Sequence, residues 1–346
     1  MIERFIELVK KSPISTEQFI NHCIGVYEIL KNNNESEEVC NSGLYHSIYG
    51  TSYFNVTVQN VHTDREIIRN EIGEYAENLV YQMCTLPDRD NSILRGEFNL
   101  DYQKLFDIVK ICKANILDIS KNKCLDNNLL FTLDKYNILF SYLSRGFNPF
   151  DEKNPIDGKI EVFDGLFSYC QLQELYSRVK QSDYKTNHYS NISGQYSNQT
   201  ARFSSHLNRT KFFEFGLFSY VQKVAKFFNQ DIFVNESYIG CYDKSTCSDS
   251  HNDTNNPNTI TILIYPNMFW EDIWAGDIKF YDEKSNLNKT IDFKPGRILA
   301  FDSRLKHKVM PISSLAQTLR FSISIKCCFF SGLSTEISEI IHVPCS

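Results

Sequence analysis

The sequence contains no apolar run that approaches the ~20 residues needed for a membrane-spanning helix. Its opening residues, MIERFIELVKKSP, mix charged and apolar side chains, so they lack the continuous apolar core of a secretory signal peptide. We therefore expect a cytoplasmic protein that neither spans nor binds a membrane.

The chain also lacks an excess of positive charge, since 36 Lys and Arg stand against 42 Asp and Glu and the net charge is -6. A nucleic-acid-binding surface normally carries a concentrated basic patch, so we expect no nucleic-acid partner.

Cys-X-X-Cys pairs are absent as well, although there are 11 cysteines. In a reducing compartment such scattered cysteines are mostly small buried apolar residues. Cys241 and Cys247 lack the second pair that a zinc site of this kind needs.

What the sequence does contain is enough apolar material for two folded domains: 346 residues, of which 42% are hydrophobic and 14% aromatic. Apolar side chains recur at helical spacing near the start, as in Phe19, Cys23, Val26 and Leu30. Segments 65–84 and 101–118 have the same pattern. The first domain, residues 1–145, is therefore predicted to be all-helical.

The second half has a different pattern. A stretch rich in Pro, Gly and Asp at 146–160 predicts a linker, so we assign the second domain to 146–346. Residues 181–210 are polar and predict either a long ordered loop or a mobile lid, whereas 212–229 predict a helix. From residue 231 onward, β-branched and aromatic runs separated by turn residues predict a β-sandwich or jelly roll. The expected fold class is α+β.

A candidate metal site lies in this β region. His251 and Asp253 are two residues apart, so on an extended strand end their side chains point to the same side. The next histidine, His307, follows the predicted strand RILAF. Two imidazoles and one carboxylate on one face of an octahedron leave three positions open, which suits ferrous iron that must accept a 2-oxo acid and dioxygen.

A candidate anion site follows on the last long strand. Arg320 lies thirteen positions after His307, and its guanidinium can form a bidentate pair with the C5 carboxylate of 2-oxoglutarate. Ser322 lies on the same strand face and could add a hydroxyl donor. Tyr265, at the end of the run TITILIY, could supply a phenolic donor to the same carboxylate.

Together these residues resemble the prolyl-4-hydroxylase-like branch of the 2-oxoglutarate/Fe(II) oxygenases over about 231–330. The motifs that carry the resemblance are the strand containing Tyr242, His251-Asn-Asp, Tyr265-Pro-Asn, Trp274-Ala-Gly-Asp, Lys294-Pro-Gly-Arg, His307-Lys-Val and Arg320-Phe-Ser-Ile. In that family the turn after the Trp usually carries two glycines, whereas here it is Ala275-Gly276, and this exchange of one small residue for another weakens nothing central to the resemblance. The basic anchor often lies closer to the distal histidine than Arg320 does, a difference that the loop SSLAQT would absorb.

The resemblance implies a double-stranded β-helix with supporting helices and iron at its open end. It implies Fe(II) as cofactor, 2-oxoglutarate as co-substrate, ascorbate as a supporting reductant, and Tyr242 among the co-substrate contacts. The implied reaction converts 2-oxoglutarate to succinate and usually hydroxylates a C–H bond. Trp270, Trp274 and Arg304 should border the open end, where we favour packing and turn roles over substrate contacts.

The helical half resembles a small bacterial domain of unknown function and, more distantly, the HD metal-dependent phosphohydrolases. The likeness rests on His22, Gly43-Leu-Tyr-His46, the helix around Ile72-Gly-Glu-Tyr-Ala-Glu and Asp88-Arg89. In active HD enzymes a metal-binding aspartate directly follows the histidine, whereas Ser47 stands here, which argues against hydrolase activity.

Two interpretations of this half stay open. His22, His46 and Asp88 could form a reduced metal site. We favour the other interpretation, in which His22 and His46 are buried and hydrogen-bonded in a helical core, for example to Glu74 or Glu77.

The leading functional hypothesis is a dioxygenase that hydroxylates a small molecule or a carbohydrate. Its alternatives are a hydroxylase of prolyl or other protein side chains and a non-catalytic module that senses 2-oxoglutarate and iron. These motifs specify how oxygen is activated and leave open which substrate is oxidised.

Overall fold

The computed structural model describes ten segments of the chain: residues 1–10, 17–50, 64–97, 100–122, 127–150, 155–187, 202–244, 249–282, 284–333 and 340–345. The chain divides into two compact units, Met1–Glu152 and Lys153–Leu333, the second of which includes the C-terminal strand.

The described residues of the first unit form helices α1 Ile2–Lys10, α2 Glu17–Asn32, α3 Glu37–Tyr45, α4 Arg65–Ile72, α5 Glu74–Thr85, α6 Arg89–Leu94, α7 Tyr102–Asn122 and α8 Asn127–Ser144. The helix predicted over 65–84 is therefore two helices. Gly73, at φ 89°, ends α4 with its N–H bonded to the carbonyl of Arg69 and leads directly into α5. The prediction of a helical first half is confirmed.

The apolar stripes of these helices form the core of the first unit. Its fully buried members include Phe5, Cys23, Leu44, Tyr45, Ile48, Ile68, Ala76 and Val80, which come from α1 to α5 and the segment after α3. These positions follow helical spacing, so burial of one face per helix accounts for the helical prediction from sequence.

The second unit contains strands β1 Ile160–Phe163, β2 Lys185–Asn187, β3 Arg202–His206, β4 Ile232–Tyr242, β5 Thr259–Ile264, β6 Ile278–Tyr281, β7 Leu287–Ile291, β8 Ile298–Asp302, β9 Lys306–Val309, β10 Arg320–Cys328 and β11 Ile341–Val343. Its helices are α9 Tyr169–Lys180, α10 Arg209–Glu214 and α11 Leu217–Phe228. Every strand pairing among the described residues is antiparallel, and the β-rich character predicted for the second half is confirmed.

The described strands of this unit form two sheets. The larger has the strand order β1-β8-β5-β10-β4-β3-β2, with β11 also paired to β4, and the smaller has the order β7-β6-β9. One face of the larger sheet packs against α9 and α11 in an apolar core. Leu263, Leu299 and Phe301 from the opposite face pack with Ile278 and Phe280 of the smaller sheet. The smaller sheet thus covers the face of the larger sheet on which the candidate functional site lies.

Strand β10 shows this division by alternation. Phe321, Ile323, Ile325 and Cys327 belong to the apolar core beneath α9 and α11. The intervening residues Arg320, Ser322, Ser324 and Lys326 instead line a cavity on the opposite face. Because successive side chains on a strand point to opposite faces, one strand separates core from cavity.

Three sequence predictions need correction here. The strands of the second unit do not begin at residue 231, because β1, β2 and β3 precede that residue and join the larger sheet. The stretch 181–210 is not wholly a loop, since β2 and β3 pair within it; its residues 188–201 lie outside the described segments. The helix predicted over 212–229 is α10 followed by α11, which are separated at Gly216 with φ 67°. No helix among the described residues is long and apolar enough to cross a membrane.

Candidate metal centre and co-substrate pocket

Backbone pairing brings the two candidate metal-binding histidines together. His251 lies between β4 and β5, whereas His307 lies on β9. The N–H of each donates to the carbonyl of the other over 2.9 Å, which forms an isolated antiparallel bridge. The N–H of Asp253 donates to the carbonyl of Ser303, also over 2.9 Å, so the whole His251–Asp253 segment is fixed beside β9.

The side chains of these residues converge. Asp253 Oδ1 lies 3.7 Å from His251 Nε2 and 3.9 Å from His307 Nε2. One ligand atom from each residue lies within 4.8 Å of the others, and no other cluster of three or more such residues occurs in the described segments. His251, Asp253 and His307 could therefore hold one metal ion.

Hydrogen bonds orient the imidazoles for this role. His251 Nδ1 lies 2.8 Å from the carbonyl oxygen of Asp249, and His307 Nδ1 lies 2.9 Å from that of Leu305. A carbonyl only accepts, so Nδ1 of each ring carries the proton. The Nε2 lone pairs then face the site, as metal ligation requires.

The charges also suit a metal. Burial lowers the pKa of His307 to about 4, although Asp253 partly opposes the shift, so this imidazole is neutral at pH 7. Burial alone would raise the pKa of Asp253, but the charge of Lys326 together with hydrogen bonds from Lys326 and Thr261 outweighs it. The pKa of Asp253 therefore falls well below its ordinary value, and the carboxylate stays ionised.

Two contacts of Asp253 were missed in the sequence analysis. Its Oδ2 atom forms an ion pair with Lys326 Nζ and accepts a 2.6 Å hydrogen bond from Thr261 Oγ1. Thr261 Oγ1 also lies 2.9 Å from Ser303 Oγ. Lys326 is six residues after Arg320 on the same strand, and this even spacing was the signal that both residues share a face.

Arg320 lies on the cavity face of β10 and is completely buried. Its Nε, Nη1 and Nη2 atoms have no hydrogen-bond partner among the described residues, and neither does the hydroxyl of Tyr265. The guanidinium carbon lies 4.9 Å from the ring centre of Tyr242, 5.2 Å from that of Tyr265 and 4.9 Å from that of Phe293. These rings favour the positive charge but leave its five N–H donors unused.

An unpaired guanidinium in such a place is costly unless a ligand pairs with it. A carboxylate is the natural ligand, because its two oxygens match the forked donors of arginine. Burial raises the pKa of Tyr265, so its phenol stays protonated and can also donate. Tyr242, Ser322, Arg320 and the three metal-site residues line one cavity, and Tyr265 contacts Arg320, with its ring centre 5.2 Å from the guanidinium carbon.

The turn Ala275-Gly276 lies beside Arg320. Gly276 has φ 89°, and a Cβ there would lie 3.2 Å from Arg320 Cδ and 3.1 Å from Ile312 Cγ2. Ala275 has φ 53° and ψ -142°, a conformation that only glycine adopts readily. The backbone of this turn therefore favours glycine at both positions.

Trp270, Trp274 and Arg304 are engaged with other protein groups. Trp274 is buried and packs against Ile312, and Trp270 Nε1 donates to the carbonyl of Ala275 over 2.9 Å. Arg304 forms ion pairs with Asp302 and Asp157. These contacts favour the packing and turn roles.

In the helical unit, His22 and His46 lie close together, with ring centres 5.2 Å apart. His22 Nδ1 lies 2.8 Å from Asp118 Oδ2, and its Nε2 lies 2.9 Å from Asn115 Oδ1. His46 is buried and its Nδ1 donates to the carbonyl of Gly43 over 2.8 Å. Both histidines are thus hydrogen-bonded within the helical unit, but only His46 is buried, since the side chain of His22 is 25% exposed.

The predicted grouping with Asp88 was wrong, and so were the suggested glutamate partners. Asp88 is exposed at the start of α6, where it accepts a 2.8 Å hydrogen bond from Asn91. It does not join His22 and His46 in a three-residue metal cluster. Glu77 is buried but bonds to Arg65 and Tyr49, and Glu74 is exposed.

Residues 238–325 match the family model of the 2OG-Fe(II) oxygenase superfamily, and residues 9–89 match a domain of unknown function, DUF6817. No curated protein matches the chain. The second match attaches no function to the helical unit, whose likeness to HD enzymes stays a prediction.

Several solved structures are distantly similar. A Pseudomonas putida prolyl-4-hydroxylase is 12% identical, with 49% of this chain and 92% of that chain covered and a TM-score of 0.39. A Trichoplax adhaerens prolyl hydroxylase, in complex with a hypoxia inducible factor peptide fragment, is 16% identical over 61% and 92%, with a TM-score of 0.38. A Burkholderia pseudomallei oxidoreductase of the 2OG-Fe(II) oxygenase family is 10% identical over 49% and 84%, with a TM-score of 0.39.

The family match and the geometry carry the identification, because the structural similarities are too distant to add to it. The matched segment includes His251, Asp253, His307 and Arg320. The C-terminal half of this chain contains a domain of the 2OG-Fe(II) oxygenase superfamily.

Proposed function

We propose that this domain hydroxylates a C–H bond of a small molecule or a carbohydrate while 2-oxoglutarate is decarboxylated to succinate. The observation that carries the proposal is Arg320, a buried guanidinium without a hydrogen-bond partner among the described residues, in the cavity that also contains the three metal-binding candidates. A metal centre alone would not require a second, buried anion site. A metal centre together with such a site fits a dicarboxylate co-substrate.

His251, Asp253 and His307 fit ferrous iron. They supply two imidazoles and one carboxylate, and a facial set of three ligands leaves three coordination positions for other molecules. Bound iron would supply the redox chemistry that activates dioxygen. The protein's own contribution is rigidity, since backbone bonds fix the His251 segment and carbonyl acceptors fix both ring orientations.

Arg320 would bind the distal carboxylate of 2-oxoglutarate through two parallel N–H donors. Tyr265 would add its phenolic proton and Ser322 its hydroxyl, while the ring of Tyr242 lies against the guanidinium. Because this end of the cavity is buried, these contacts act with little screening by water. The co-substrate would thereby be oriented with its other end toward the metal-binding residues.

The remaining cavity residues include the apolar Leu263, Ile278, Phe301 and Val309, and it is two hydroxyl-bearing residues that favour a polar substrate. Tyr238 and Ser324 add hydroxyl groups to the lining beside the metal-binding residues. Hydroxyl-lined pockets suit ligands that bear several hydrogen-bonding groups, such as sugars and polar metabolites. A protein side chain is the alternative that the assay below distinguishes.

The test measures succinate formed by the full-length chain with Fe(II), ascorbate and 2-oxoglutarate, first alone and then with panels of sugars, polar metabolites and peptides. We expect a polar small molecule to increase succinate formation, and Arg320→Met to abolish it. Arg178→Met, which removes an exposed arginine on α9, is the matched control and should behave like the wild type. Stimulation by peptides alone would contradict the substrate class. Metal binding without succinate under any condition would instead favour a sensing module.

A further inference from the structure

The two oxygens of the Asp253 carboxylate have different surroundings. Oδ1 faces Nε2 of His251 and of His307, at 3.7 Å and 3.9 Å. Oδ2 contacts Lys326 Nζ and accepts the 2.6 Å hydrogen bond from Thr261. The Asp253 side chain is only 7% exposed and that of Lys326 only 22%, so water screens this ion pair weakly. One oxygen of the carboxylate thus faces the other two metal-binding candidates, and the other oxygen contacts Lys326 and Thr261.

Strand register explains why Lys326 reaches Asp253. In the pairing of β10 with β5, Lys326 lies directly opposite Thr261. Residues directly opposite each other in an antiparallel pair point to the same face of the sheet. The ammonium and the hydroxyl therefore approach Oδ2 together, and they do so without displacing Oδ1 from the histidines.

We propose that Lys326 is the counter-ion of the metal-free site and that it sets the metal affinity of the protein. The proposal rests on the proposed function, because it assumes that Asp253 is a metal ligand. Without a metal, the ammonium of Lys326 is the positive charge that contacts the buried Asp253 carboxylate. Removing Lys326 would leave that charge buried and unpaired, which is strongly unfavourable.

A bound metal would change the charges around Asp253. Asp253 would then lie between a divalent cation at Oδ1 and the ammonium of Lys326 at Oδ2. The two cations repel each other across one carboxylate, and burial strengthens that repulsion. Lys326 therefore stabilises the metal-free protein and weakens metal binding. A lysine that only oriented Asp253 would have the opposite effect, since its loss would weaken metal binding.

The proposal is tested by the direction in which the loss of Lys326 changes the metal affinity. Co(II), which resists oxidation better than Fe(II), is titrated into the full-length wild type and into Lys326→Met. We expect Lys326→Met to bind Co(II) about tenfold more tightly, and its metal-free form to unfold at lower urea concentration. Lys289→Met, at an exposed position on β7, is the matched control and should match the wild type in both measurements. Unchanged or weaker Co(II) binding by folded Lys326→Met would overturn the proposal.

A second variant keeps the test decisive if metal-free Lys326→Met does not fold. Lys326→Gln retains an N–H donor for Oδ2 but removes the charge, so it too should bind Co(II) more tightly than the wild type. Weaker binding by Lys326→Gln would also contradict the counter-ion role. If the wild type binds neither Co(II) nor 2-oxoglutarate, the proposed function fails and the counter-ion role fails with it. If the wild type binds both but neither variant gains affinity, only the counter-ion role fails.

Discussion

His251 and His307, 56 positions apart in the chain, exchange two backbone hydrogen bonds, so their spacing does not depend on their side chains. His251→Ala should therefore keep the fold and lose the metal. We expect Co(II) affinity to fall by more than about 100-fold, beyond the loss that follows removal of an outer hydrogen-bond partner. The free energy of unfolding of the metal-free protein should change by no more than about 1 kcal/mol, because the side chain is partly exposed. Metal titration and urea unfolding measure the two effects.

His342→Ala is the matched control for that substitution. His342 lies on β11 and pairs with Asp231, away from the metal-binding residues. Its loss should leave Co(II) affinity unchanged. Retention of full affinity by His251→Ala would contradict the assignment of that residue as a ligand.

Arg320→Met should separate stability from co-substrate binding. The substitution removes a buried charge that lacks hydrogen-bond partners among the described residues, so the ligand-free protein should gain about 1–3 kcal/mol in its free energy of unfolding. The rise in melting temperature that 2-oxoglutarate gives the Co(II)-loaded wild type should disappear in the variant. Thermal melts with and without 2-oxoglutarate measure both. A variant that 2-oxoglutarate still stabilises would show that the anion site lies elsewhere.

Ala275→Gly and Gly276→Ala should have opposite effects. Ala275→Gly relieves a positive φ, and we expect the free energy of unfolding to stay the same or rise by about 1 kcal/mol. Gly276→Ala places a Cβ against Arg320 and Ile312 at φ 89°, so it should lower that free energy by about 1–3 kcal/mol and weaken 2-oxoglutarate binding. Urea unfolding and 2-oxoglutarate titration compare the pair. Equal stability of the two variants would argue against the turn geometry.

His46 predicts a pH dependence of the helical unit. Burial lowers its pKa to about 3, whereas an imidazole in the unfolded chain titrates near 6.5. Between these two pH values the unfolded chain binds a proton that the folded chain does not, so stability falls as the pH decreases through this window. From pH 7 to pH 5 the loss from this residue should be about 2 kcal/mol.

His46→Asn, whose amide can replace the donor to Gly43, should flatten this part of the pH dependence. His206→Asn, at an exposed position on β3, is the control and should keep the wild-type slope. Urea unfolding of the metal-free chain at pH 7 and pH 5 measures the difference. Equal slopes for His46→Asn and the wild type would exclude His46 as the source.

Local patterns were sufficient for most of the elements, and the order of motifs was sufficient to group the three metal-binding candidates. Period-2 alternation identified the cavity face of β10, so Ser322 was correctly placed on the same face as Arg320. Helical spacing identified the helical half, although it overlooked the break at Gly73 because one glycine does not interrupt an apolar pattern. In both cases the information lies within a few neighbouring residues.

What the sequence did not reveal depends on non-local pairing. From the sequence alone, Lys326 would be predicted to be an exposed lysine on a strand. The pairing of β10 with β5 places it opposite Thr261 and brings it against Asp253. Strand β1 is four residues long and gains its place in the sheet only by pairing with β8. Asp88 was grouped with His22 by resemblance alone, and its exposed position at the start of α6 shows why a motif without a contact is insufficient.

The alternation of β10 makes its length as important as its composition. Arg320, Ser322, Ser324 and Lys326 are interleaved with four residues of the apolar core. Loss or gain of a single residue inside the strand would exchange the two sets for every position beyond it, placing cations in the core and aliphatic side chains in the cavity. Substitutions in this strand can therefore accumulate during evolution one face at a time, whereas insertions and deletions are confined to the segments at its ends.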